Sequence, residues 1–111
     1  MEDFWSPEID SILSVGRSLE ALGIRNWALE PDAALMAVDN LSVIGVPILG
    51  GDVYVVAGAH IEMNYDNWYC NRNSGETVAD FALRSAAKAK SYIVNYPNSE
   101  ADVLFAIVPL T

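Results

Sequence analysis

One cysteine, Cys70, and one histidine, His60, are all that the 111 residues supply. A lone thiol excludes an internal disulfide and fits a reducing compartment. A zinc site with one His and one Cys would need several carboxylates in an arrangement the sequence does not show, so neither metal nor cofactor is expected. Basic side chains are also scarce: six Lys and Arg stand against fifteen Asp and Glu, a net charge of −9. That balance argues against nucleic acid as a ligand, because such binding neutralises phosphates with Lys and Arg. No apolar run approaches the roughly 20 residues of a bilayer span. The opening MEDFWSPEID has neither the basic nor the apolar segment of a signal peptide. The expectation is a cytoplasmic protein with no membrane partner.

What is present suffices for one core. The chain is 52% hydrophobic, and its length suits a single domain over residues 1–111, since domains commonly hold roughly 100 to 150 residues. The charge is uneven. Residues 1–66 hold eleven acids and two bases, a net −9, whereas the remainder balances four acids against four bases. Such a field steers a basic partner to the acidic side. The plainer reading is that acidity keeps the protein in solution.

Ser6-Pro7 is an N-cap followed by proline at the first helical position. Ile9, Ile12, Leu13, Gly16, Leu19 and Leu22 then recur at helical spacing up to a C-capping Gly23. Pro31 opens a second helix, through about Val38. From Ser42 the composition turns β-branched and aromatic, and Val43–Leu49, Asp52–Ala57 and Ile61–Tyr69 read as strands. Gly50-Gly51 and Gly58-Ala59 are the turns or bulges between them. A long helix over about Glu76–Asn95 places Asp80 and Arg84 at i, i+4 and is capped by Asn73-Ser74-Gly75. Pro97-Asn98-Ser99 breaks the chain before a last strand, Val103–Val108, apolar on both faces and so interior to a sheet. The order ααβββαβ predicts an α+β fold, a mostly antiparallel sheet with helices packed on one face.

No catalytic constellation stands out. His60 follows a turn, Cys70 lacks a sequence-adjacent partner or a helix N-terminus to lower its pKa, and Gly50-Gly51 belongs to no phosphate-binding loop. Glu62 and Asp66 are the nearest thing to an acid–base pair, yet exposed sheet faces carry many carboxylates. The chain is not expected to be an enzyme. The stretch Ile61–Cys70 is more telling. As a strand it puts Ile61, Met63, Tyr65 and Tyr69 on one face, expected inward, and Glu62, Asn64, Asp66 and Trp68 on the other. A two-residue turn at Gly58-Ala59 sets Glu62 opposite Val55, Asn64 opposite Val53 and Asp66 opposite Gly51. Tryptophan beside carboxylates is the composition of an interface anchor with an electrostatic rim. The competing reading turns Trp68 back into the helix layer as core, and a one-residue slip would exchange the two faces. Trp27 is expected to pin the first two helices against the sheet, and Phe4 and Trp5 to staple the first helix.

The words Asn26-Trp27-Ala28-Leu29, Ile48-Leu49-Gly50-Gly51-Asp52-Val53-Tyr54 and Asp66-Asn67-Trp68-Tyr69-Cys70, in this order and over this length, resemble the immunity protein 40 family. The resemblance covers nearly the whole chain. It implies an α+β fold, a cytoplasmic location and inhibition of a toxin encoded beside it in a bacterial polymorphic toxin system. No toxin-contacting residues come with it. The expected contacts therefore rest on the strand argument: Asp52, Tyr54, Glu62, Asn64, Asp66 and Trp68, facing a basic toxin domain such as a nuclease. Two other readings stand beside this one. One is a small enzyme or ligand-binding domain with a pocket near Gly50–Asp52 and Asp66–Trp68; the other is an oligomerisation module.

Overall fold

The computed structural model describes residues 4–97 and 102–111. Its centre is an antiparallel three-stranded sheet in the order β4-β3-β5, formed by β3 (Ile48–Ala57), β4 (His60–Tyr69) and β5 (Val103–Pro109). Two longer helices, α2 (Pro31–Val43) and α3 (Val78–Asn95), cover one face together with the short α1 (Pro7–Leu13). A two-stranded hairpin, β1 (Arg17–Ser18) and β2 (Trp27–Ala28), covers part of the other. The α+β class and the helices on a single face are as the sequence implies.

The main core lies between sheet and helices. Val53, Trp68, Phe105 and Ile107 meet Leu13, Val38, Leu41, Ala89 and Ile93 there. Small residues on α3, among them Ala82, Ser85, Ala86 and Ala89, leave room for that close packing. The Ser85 hydroxyl also accepts the Ile48 N–H at 2.8 Å. On the opposite face Tyr54, Leu104 and Ala106 are covered by Leu19 and Ala28. β5 is flanked on both sides, because Leu29 and Phe105 exchange backbone hydrogen bonds of 2.8 Å each.

Several elements differ from the sequence expectation. The first helix stops at Leu13, and Glu20–Leu22 form a separate 3₁₀ turn ending at Gly23 in the left-handed conformation. Gly16 is the cause. It is not part of a helical stripe but the point where this segment touches β2, and a β-carbon there would overlap the Ala28 carbonyl. α2 runs on to Val43, so the expected strand over Val43–Leu49 begins only at Ile48. β3 then passes through Gly50-Gly51 without turning, with a register irregularity between Ile48 and Gly50. α3 is capped by the Thr77 hydroxyl, not by Asn73–Gly75. Arg84 pairs with Glu76 in place of Asp80, at 2.7 Å. Phe4 and Trp5 fold back on α1 as expected, Trp5 packing against the cluster that holds Ile9 and Leu13. Their N–H groups reach the Asp10 carboxylate, and the Phe4 ring stacks on Trp27 at 4.4 Å. The expected break at Asn98-Ser99 lies outside the described residues.

Candidate functional site

β4 is the edge of the sheet on which no further strand pairs among the described residues, and its middle is not regular. Asp52 pairs with Asn67 and Tyr54 with Met63, so Val53 alone stands opposite Asn64, Tyr65 and Asp66. These two extra residues make a special β-bulge, larger than the usual one-residue insertion, a device that breaks an edge strand and re-aims its side chains. Tyr65 at its crest has φ of 69°, the one non-glycine residue of positive φ among the described residues. For a bulky side chain that conformation costs about 1–2 kcal/mol.

A three-residue clamp holds the bulge. The Tyr96 hydroxyl, just past the end of α3, donates to the Asp66 carboxylate at 2.5 Å and accepts from the Asn64 amide at 2.7 Å. The Asn64 side-chain oxygen in turn accepts the Asp66 N–H at 3.0 Å. Burial and the Asp66 carboxylate hold the Tyr96 phenol above its ordinary value. Asn64 and Asp66 are thus brought together as expected, but as supports of a turn and not as members of a flat row.

The two extra residues are an even number, so the side-chain alternation resumes in phase after the bulge, although Asp66 no longer stands opposite Gly51. Trp68 takes that place. Ile61 packs inward as expected, against the Tyr54 cluster, but Trp68 does not face out: it points into the helix layer, 6% exposed. There it stacks on Tyr92 at 4.7 Å and meets the edge of Phe105. Its buried indole N–H has no hydrogen-bond partner among the described residues. Met63, Tyr65 and Tyr69, expected inward, are exposed, Tyr65 at 80%. The physical reason is that the helices lie on the Trp68 side, where the glycine opposite makes space for the ring. Tyr54 is likewise no surface residue at 1% exposure, lying beneath the hairpin. Glu62 remains exposed on the edge.

Asp52 is half-buried on the helix-free face, and burial raises its carboxyl above the ordinary range. With Gly50, Gly51, Asn67 and Trp68 it lines a shallow depression of about 190 Å³. The sequence-level pocket therefore exists in outline, without Asp66. It is smaller than the roughly 300–1,000 Å³ of small-molecule sites. A larger groove of about 510 Å³ runs between the 3₁₀ turn and the edge strand, lined by Leu22, Ile24, Ile61, Glu62, Met63 and Tyr65. Sequence reasoning missed Met63, Tyr65 and the 3₁₀ residues. The signal was the run Asn-Tyr-Asp-Asn at 64–67, turn-forming residues inside a supposed strand.

Among the described residues no group of three or more His, Cys, Asp or Glu could hold a metal ion. His60 is an exposed residue directly after the Gly58-Ala59 turn. Cys70 is buried, and the Arg84 guanidinium donates to its sulfur at 3.2 Å. No described helix is long and apolar enough to cross a membrane.

These elements make a small α+β domain with exposed carboxylates and aromatic side chains along one strand. A family model described as Immunity protein 40 matches residues 18–109. The chain belongs to that family, which gives it an immunity function and implies a toxin as its partner. Searches of curated proteins and of solved structures return no match.

Proposed function

We propose that this chain is a cytoplasmic immunity protein that neutralises its cognate toxin domain by binding it along the β4 edge, with no catalytic step of its own. The observation that carries the reading is the placement of Glu62 and Asp66 on the edge strand beside exposed Tyr65 and Tyr69. Charge there would set association rate and specificity, and the aromatic side chains would supply affinity. The net charge of −9 supports a basic toxin, such as a nuclease. Of the contacts expected from the sequence, Glu62, Asn64, Asp66 and Asp52 stay in this proposal. Tyr65 and Tyr69 take the places of Trp68 and Tyr54.

The test is co-expression with the toxin domain encoded beside this chain, scoring growth rescue and isolation of a 1:1 complex. Charge reversal then probes the face. Asp66 is unsuited, since it accepts the Tyr96 hydroxyl. The exposed Glu20 and Glu62 are better. Glu20→Lys with Glu62→Lys should slow association about tenfold at low salt and leave the urea midpoint unchanged. Association as fast as wild type would contradict the acidic-edge assignment.

A further inference from the structure

The groove between the 3₁₀ turn and the edge strand has two walls with different origins. Leu22 and Ile24 come from the loop that precedes β2, and Ile61, Met63 and Tyr65 come from β4. Leu22, Met63 and Tyr65 are among the large apolar side chains left exposed. Such a cluster on one side of a sheet edge is the usual mark of an interaction surface. Its position is also enforced. Tyr65 sits in the left-handed region between Asn64 and Asp66, both tied to the Tyr96 hydroxyl. A glycine would take that backbone without penalty, yet the position holds an exposed aromatic ring.

We propose that this groove receives an apolar side chain of the toxin domain flanked by Lys or Arg, with Tyr65 as the aromatic anchor that closes over it. The inference rests on the toxin-binding reading above and names the site where affinity is concentrated. Charge complementarity selects the occupant. Glu62 lines the groove and Asp66 follows Tyr65, while residues 1–66, which supply both walls, carry the whole net charge of −9. A second copy of this chain would bring the same acidic surface against itself, which like charges oppose.

The experiment measures binding of a catalytically silenced toxin domain to wild type, Tyr65→Gly and Met63→Glu by surface plasmon resonance, with urea unfolding and sedimentation of each chain alone. Tyr65→Gly is expected to unfold at the same or a higher urea concentration than wild type and to dissociate from the toxin at least tenfold faster. Met63→Glu, on the same wall without the left-handed backbone, should weaken the complex to a similar degree and decides the matter if Tyr65→Gly fails to fold. Affinities within twofold of wild type for both variants would overturn the groove while leaving the acidic-edge reading intact. Wild-type chain that binds no toxin would overturn both. Self-association of wild type that Tyr65→Gly abolishes would assign the groove to a second copy and overturn the proposal.

Discussion

Trp68 packs its outer ring edge against Gly51, its cross-strand partner, and a β-carbon at position 51 would overlap that edge and the Ala106 carbonyl. A glycine inside a central strand weakens it unless something occupies the vacated space. Here a ring from the edge strand fills it, the arrangement in which an aromatic neighbour compensates a strand glycine. Gly51→Ala should therefore lower stability by about 1–3 kcal/mol through overpacking. The shorter ring of Trp68→Phe should remove part of that cost, so that the two substitutions are non-additive. Urea unfolding of both single variants and the double variant measures the coupling.

Asn26 acts as a second tie between the halves of the fold. Its side-chain amide, 4% exposed, donates to the Ile107 carbonyl at 2.9 Å, and its oxygen accepts the Trp27 N–H at 2.7 Å. Asn26→Ala leaves the buried Ile107 carbonyl and the part-buried Trp27 N–H without those partners, at a cost of about 1–3 kcal/mol. Chemical denaturation is the check.

Tyr96→Phe removes a single oxygen and, with it, two of the three hydrogen bonds of the clamp. The loss should be about 1–2 kcal/mol. Amide exchange should speed up at 64–66 well before it does so in β3. Exchange that rises evenly over the sheet would mean the clamp does not act locally.

Glu76 gives the protein an acid-sensitive contact. Arg84 holds the carboxyl well below its ordinary 4.5, at about 2, mainly by donating to it, and the Asn73 N–H adds to the effect. Because the folded-state value is depressed, the stabilisation is present above about 4.5 and disappears as pH falls toward 2. Wild type should be more stable than Glu76→Gln at pH 7, and the gap should close over that acid window. Thermal unfolding across pH follows it. A gap that persists unchanged at pH 2 would contradict the assignment.

The three sequence words that carry the family resemblance are largely framework. In NWAL, Asn26 ties to β5, Trp27 joins the Phe4 and Trp5 rings, Ala28 is core and Leu29 bridges to Phe105. In ILGGDVY and DNWYC the glycines and Trp68 are one packing unit. This is why the fold class was legible in them while the inward face of β4 was not. The alternation of β4 was legible, since a bulge of two residues preserves phase. Which face turns inward was not, because it depends on where α2 and α3 lie, a tertiary fact. The majority of apolar residues at 61, 63, 65 and 69 pointed to the wrong side, and one tryptophan over a glycine outweighed them. The shortened first helix has a similar cause: Gly16 fits a helical stripe by spacing, but its role is a close backbone approach to Ala28 from a distant position.

The most direct measurement is hydrogen–deuterium exchange of the chain alone and in complex with the silenced toxin domain. Binding along the edge should slow exchange over His60–Tyr69 and around Leu19–Ile24, with α2 and the outer face of α3 unchanged. Slowing confined to the two helices, with β4 exchanging as it does in the free chain, would contradict an edge-strand interface.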